Sequence, residues 1–340
     1  MSFTQIVSVS GGKDSTATYL RAIERGLPFA AVFADTGNEH EATYDFVREL
    51  PARTGGPAIR WVAADFSADF ARRRAYIAER WVVEGISADT IERVLRLLQP
   101  TGSPFLDLCL LKGRFPSAKA RFCTHELKVW PIFSQVNLPH LLAGVTVISW
   151  QGVRGQGSRH RASLPRLQRL DVLSEETRLR RLLPNGSELD APALEASLGG
   201  LFAYRPLLDW STREVFAMHD RHGLAPNPLY TQGMSRVGCM PCINCSKGEL
   251  REIARRFPEH VERIAEWEAA LALVSKRGSA TFFAATNDPL FSRRDLPIDH
   301  RTHGIRNHIE WAKTSRGGQQ YDLEAAIDFA TPCDEWGHCQ

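Results

Sequence analysis

The stretch "IVSVSGGKDS" at residues 6 to 15 constrains this chain more than any other. A β-rich apolar run ends in two glycines and then in Lys13, Asp14 and Ser15, and the following "STATYLRAIERG" has helical spacing. Gly11 and Gly12 let the backbone turn tightly and come close to an anion, and the helix behind them aims its first amides at that anion. Lys13 adds a charge able to follow a phosphate. The dinucleotide fingerprint would need three glycines in G-x-G-x-x-G, and a Walker A loop would need four residues before Gly-Lys-Ser/Thr; neither is present. The reading is a strand, a phosphate cradle built from Ser10, Gly11, Gly12, Lys13, Asp14 and Ser15, and a helix. The bland alternative is a glycine turn carrying a solvated lysine.

The same alternation continues. "PFAAVFAD" (28–35) and "AIRWVAAD" (58–65) read as buried strands around an amphipathic helix in "EHEATYDFVRELPART" (39–53). Strands alternating with helices of this length predict an α/β fold, a doubly wound parallel sheet covered on both faces. Ligands in such sheets sit beyond the carboxyl ends of the strands, where the glycine turn and Asp35 both fall. Asp35 could position a nucleotide or a magnesium-bound water, or simply cap the next segment. Residues 66–99 read as helical. Residues 100–132 read as a loop until Thr124 caps a short helix, which the sequence predicts to stop near Pro131. "GVTVISWQGVRG" (144–155) is a late strand entering a glycine-rich turn. There Arg154, Arg159 and Arg161 surround Ser158 as a clamp on phosphates would, with Arg154 placed for the α-phosphate region. Residues 165–200 are polar without a clear period and read as a surface insertion. Residues 209–223 read as a capped helix, and residues 248–278 as a helical pair interrupted at Pro258. The expected division is an α/β domain over 1–235 and a cysteine-bearing helical region over 236–340.

No stretch reaches the roughly 18 to 20 apolar residues of a membrane span, so a soluble, cytoplasmic protein without a membrane partner is expected. Of the 42 basic residues only seven are lysines. Guanidinium forks suit phosphate and sulfate, but arginine usage can also follow genome composition and does not by itself establish a nucleic-acid partner. Seven cysteines without a secretion signal argue for metal or redox chemistry. "GCMPCINCSKG" sets Cys239, Cys242 and Cys245 in C-x2-C-x2-C. Three thiolates on one turn plus one distant cysteine suit a [4Fe-4S] cluster, with a four-thiolate zinc site as the competitor. The buried free cysteine, a common alternative, suits Cys109 in "FLDLCLL" better. His125, His160, His219 and His222 have no ligand spacing with one another and read as surface or capping histidines.

Ser-Gly-Gly-Lys-Asp-Ser looks like the PP-loop of ATP pyrophosphatases. Together with "FADTGNEHEATYDFV", "RFCTHELKVWPI", "GVRGQGSRHRA", "RPLLDWSTREVF" and "NPLYTQGMSRVGCMPC", in that order across roughly residues 1 to 245, it resembles the phosphoadenosine phosphosulfate (PAPS) reductase-like branch of that superfamily. The resemblance implies ATP and Mg2+ on the PP-loop, Lys13 and Arg154 as catalytic positions, and Cys123 as the fourth cluster ligand. The branch holds sulfonucleotide reductases, ATP-splitting sulfur-transfer proteins such as the DndC-type component of DNA phosphorothioation, and phage-type relatives. Two departures favour ATP cleavage. Reductases usually lack a Lys-Asp pair like Lys13-Asp14, and they carry a nucleophilic cysteine in Glu-Cys-Gly-x-His, where this chain ends "CDEWGHCQ" with Trp336 between Glu335 and Gly337. The leading expectation is therefore adenylation of an acceptor, such as a nucleic-acid phosphate or base, followed by sulfur transfer. A cysteine desulfurase or thioredoxin-like protein would be the sulfur donor, and Cys333 or Cys339 a carrier thiol. A PAPS or adenylylsulfate reductase is the alternative, and a nucleotide-binding subunit of a sulfur-transfer complex is a third reading.

Overall fold

The computed structural model describes residues 2–183, 191–283 and 298–314. Six strands make one sheet in the order β3-β2-β1-β4-β6-β5: β1 Phe3–Val9, β2 Ala30–Asp35, β3 Ile59–Ala63, β4 Thr146–Trp150, β5 Leu167–Arg169 and β6 Leu201–Tyr204. All neighbours run parallel except the edge pair β5 and β6. Successive side chains of a strand point to opposite faces, and here both faces are covered. Ile6, Val32 and Val147 pack under Ile132, Phe133 and Leu141 on one side. Val7, Val9 and Phe33 pack against Tyr19 and Leu20 of α1 (Lys13–Arg25) and Phe46 and Leu50 of α2 (Glu41–Thr54) on the other. Burial on both faces is why these strands read as continuous apolar runs.

The chain leaves β1 towards β2 and β3 and then crosses back to β4 on the other flank of β1. That reversal opens a crevice at the carboxyl ends of β1 and β4. Above it sits a helical layer: α3 (Ser67–Val83), α4 (Ala88–Leu97), α5 (Pro104–Lys112), and the later helices Lys247–Arg256, Pro258–Val274 and Ile305–Lys313. Phe70, Ile91, Leu108, Ile264, Leu271 and Ile305 share one core there.

Two segments differ from their sequence reading. The helix expected to end near Pro131 continues without a break over residues 122–142, with Thr124 inside it and π-type turns at His125–Val129 and Phe133–Asn137. An interior proline costs about 3 kcal/mol. Burying Leu127, Ile132, Phe133 and Val136, at about 1.5–3 kcal/mol each, outweighs it, and the widened turns on either side accommodate the ring. Residues 100–112, read as loop, include α5. Within the polar stretch 165–200, Leu167–Arg169 adds the edge strand and Leu170, Val172 and Leu179 are buried in the core; residues 184–190 lie outside the described residues.

Candidate functional site

The loop after β1 is built around Gly11. Its φ of +76° suits glycine, and a Cβ there would stand 2.8 Å from Thr43 Cγ2 and 3.1 Å from Val47 Cγ2 of α2. The turn is tied internally by Ser15, whose hydroxyl accepts from the Ser10 amide at 3.0 Å and donates to the Gly12 carbonyl at 3.0 Å. Gly12 is the N-cap of α1 and offers no side-chain cap, which leaves the first-turn amides of Asp14 and Ser15 facing the crevice without a protein partner.

Charge is concentrated at Asp14. Arg154 Nε lies 2.7 Å from one carboxylate oxygen and Lys13 Nζ 3.4 Å from the other, and these side chains are nearly buried. Arg154 also donates to Thr212 Oγ1 at 3.1 Å. The structure thus joins Lys13, Asp14 and Arg154 in one network. Arg161 stands on the short helix Arg159–Ser163, capped by Ser158. Asp35 acts locally, its carboxylate accepting from the Gly37 amide at 2.8 Å and the Tyr44 hydroxyl at 2.7 Å.

Three residues distant in sequence brace the loop. Tyr230 accepts from the Lys13 amide at 2.9 Å, His219 Nε2 lies 2.9 Å from the Lys13 carbonyl, and Asn227 Nδ2 donates to the Gly11 carbonyl at 3.3 Å. His219, expected at the surface or in a cap, is fully buried, and burial pulls its pKa down, so the neutral ring donates Nε2–H to Lys13. Only its place two turns into an amphipathic helix could have hinted at this.

Cys123, Cys239, Cys242 and Cys245 line one cavity of about 80 Å³, whose rim includes Ser10 of the loop. Lys128 borders both this cavity and the crevice at the ends of β1 and β2. Burial pushes the thiols up, Cys123 to about 11 and Cys239 and Cys245 further. Lys128 is partly buried. Burial pulls its pKa down, but Cys239, Glu39 and the other thiols outweigh that and leave it raised. Arg236 is held up chiefly by Cys242. Two partly buried cations beside the thiols favour their ionised form, and a coordinated metal ionises them outright. The donor set therefore fits a thiolate-bound metal centre of net negative charge. Glu39, which sequence reading did not single out, is buried beside Cys239 at 3.6 Å and accepts from Thr36 Oγ1 at 2.8 Å. Cys333 and Cys339 lie outside the described residues.

Among the described residues the one triad of ligand atoms within 4.8 Å of each other is His40, Glu41 and His260. His40 Nδ1 accepts from the Ala42 amide and His260 Nδ1 from Arg263. Each neutral ring then carries its proton on Nε2, which is the wrong tautomer for ligation there. No helix among the described residues is long and apolar enough to cross a membrane.

Over 338 residues the chain is 45% identical to an uncharacterized 37.8 kDa protein in the gpa 5′ region of Escherichia phage 186, covering 96% of this chain and 93% of that one. A 56-residue stretch is 43% identical to adenosine 5′-phosphosulfate reductase of Allochromatium vinosum, which is 16% of this chain and 22% of that enzyme. The crystal structure of PAPS reductase from Candida auris, a phosphate complex, matches with a TM-score of 0.37 and 15% identity, covering 69% of this chain and 81% of that one. The sequence profile of the phosphoadenosine phosphosulfate reductase domain matches residues 4–245, and with that extent the chain belongs to the phosphoadenosine phosphosulfate reductase domain family.

Proposed function

We propose that the chain cleaves ATP between its α and β phosphates on the Ser10–Ser15 loop, adenylates an acceptor, and completes a sulfur transfer at the adjoining cysteine cavity. The observation that carries the reading is the Lys13, Asp14 and Arg154 network at the mouth of the loop. It places two cations, held by one carboxylate, beside free first-turn amides. Such preorganised charge suits a reaction whose transition state builds negative charge on phosphate oxygens. Mg2+ would add to it, and Arg161 stands near enough in the chain to extend the clamp.

Cys123, Cys239, Cys242 and Cys245 would hold a [4Fe-4S] cluster, which would supply a sulfur-handling or electron-donating centre. Four thiolates on one zinc at 2.3 Å must sit about 3.8 Å apart, whereas no three of these sulfurs lie within 4.8 Å of one another. That wider spread supports a polynuclear centre over zinc. The acceptor class, the sulfur donor and a nucleic-acid partner rest on the family resemblance alone. A second reading, reduction of a sulfonucleotide, is supported by the named reductases among the relatives.

The test is an anaerobic preparation assayed for both reactions. AMP and pyrophosphate should form from ATP, with Lys13→Ala slowing release at least about tenfold, since 1.4 kcal/mol of lost charge stabilisation is a factor of ten. The preparation should be brown with about four irons per chain, and Cys242→Ser should lose the colour. Release of ADP and phosphate, or reduction of PAPS without ATP cleavage, would overturn the ATP reading.

A further inference from the structure

A third cavity is distinct from both the loop crevice and the thiol cavity. It is an open groove of about 470 Å³ between α3, α5 and the outer side of the 122–142 helix. One face of α3 supplies Asp69, Arg72, Arg73 and Tyr76, spaced three or four residues apart as a helix face requires. Leu108 and Leu111 of α5 form an apolar floor, and Lys112, Glu126 and Arg178 close the sides. Four cations therefore face two carboxylates. Arg72 is paired with Asp69, and Arg178 binds Glu126 through both oxygens. Among the described residues, Arg73 and Lys112 have no acidic partner. Arg73 donates to the Leu111 carbonyl at 3.3 Å, which brings its guanidinium to the end of α5 next to Lys112. Tyr76 is half exposed along the same face.

We infer that this groove binds a nucleoside phosphate unit, with Arg73 and Lys112 on the phosphate, Tyr76 stacked on the base and the leucines beneath it. Two uncompensated cations beside an exposed ring and an apolar floor match both halves of such a ligand. The volume is in the range of small-molecule sites. The unit is either a free nucleotide or one residue of a single strand. A strand has a continuation: Lys112 and Arg114 both lie over the Phe122 ring, and Phe122 is flanked by Arg121 and Cys123, which line the thiol cavity. The groove and that cavity are opposite sides of one helix wall, with Glu126 on the first and Leu127 and Lys128 on the second. The inference does not depend on which reaction the loop performs.

The experiment measures binding of fluorescein-labelled oligothymidylate by anisotropy, and of AMP by competition, to the full chain purified without oxygen. The variants are Arg73→Glu with Lys112→Glu, Tyr76→Ala, and a control reversal of Arg251 and Arg255 on the helix Lys247–Arg256. The groove reversal should weaken binding at least about tenfold and flatten its salt dependence by roughly one to two units of slope, and Tyr76→Ala should weaken it several-fold, with pyrophosphate release and iron content unchanged. Displacement by AMP identifies a free nucleotide as the occupant, and its failure identifies a strand. If the wild type binds neither probe, or the control reversal costs as much as the groove reversal, the assignment is overturned.

Discussion

Asp14 holds Arg154 in place, and a double-mutant cycle measures how firmly. The perturbation is Asp14→Ala, Arg154→Ala and both together. At 2.7 Å and an effective dielectric constant of about 20, the two charges attract by about 6 kcal/mol. Their side chains keep 9% and 12% of their exposure, so desolvation returns roughly half of that, leaving a coupling of about 2–4 kcal/mol. Asp14→Ala should cost more than Arg154→Ala, because it also leaves Lys13, 3.4 Å away, beside an uncompensated guanidinium. Urea unfolding of the four proteins gives the coupling, and pyrophosphate release gives its functional counterpart. In the second assay Asp14→Ala should be about as slow as Arg154→Ala and the double variant, since an arginine without its anchor is no longer preorganised. If the two single changes add to within about 0.5 kcal/mol, as independent sites do, Asp14 does not position Arg154 and the network explains nothing about the loop.

Gly11→Ala should lower stability by about 2–4 kcal/mol, combining the left-handed backbone penalty with overpacking against Thr43 and Val47; a shift in the urea midpoint equivalent to less than about 1 kcal/mol would show that the loop can relax. Glu268 is buried and accepts from the Phe282 and Ile305 amides at 2.7 and 3.0 Å, so it caps the last described helix. Burial raises its pKa from 4.5 to about 7 against the pull of those amides and Arg306. The folded chain therefore holds an extra proton between those values. The stability this brings is complete below pH 4.5 and lost as pH rises through 7, a span of about 3 kcal/mol. Glu268→Gln should remove that slope from thermal unfolding between pH 5 and 7.5, and an unchanged slope would assign it to other groups.

What the sequence disclosed was whatever is local in the chain. The glycine turn, Lys13 and the start of α1 lie within one short stretch, and the three clustered cysteines announce themselves by spacing. The strands β1 and β2 were legible because burial on both faces keeps them largely apolar, and the edge strand β3 by its Ile59, Trp61 and Val62. The short strands β5 and β6 were not, because three or four residues carry too little pattern to tell from a polar loop. Pro131 misled for a physical reason: the local penalty of a proline is real, but the packing that overrides it comes from strands far away in sequence. The same holds for Tyr230, Asn227 and His219, which reach the loop from about 200 residues on. Glu39 looked like an ordinary helix-start carboxylate, and its burial beside Cys239 depends on the fold bringing residue 239 back to it.

The segment that braces the loop runs directly into the segment that carries the thiols. Asn227 and Tyr230 hold Gly11 and Lys13, and nine residues after Tyr230 the chain reaches Cys239, itself bridged to Glu39. Occupancy of the cavity and occupancy of the loop are in that case thermodynamically linked: whatever tightens 227–245 on binding one must change the affinity for the other by the same factor, in both directions. Nucleotide should protect the cysteines from alkylation, and filling the cavity should sharpen the affinity for nucleotide.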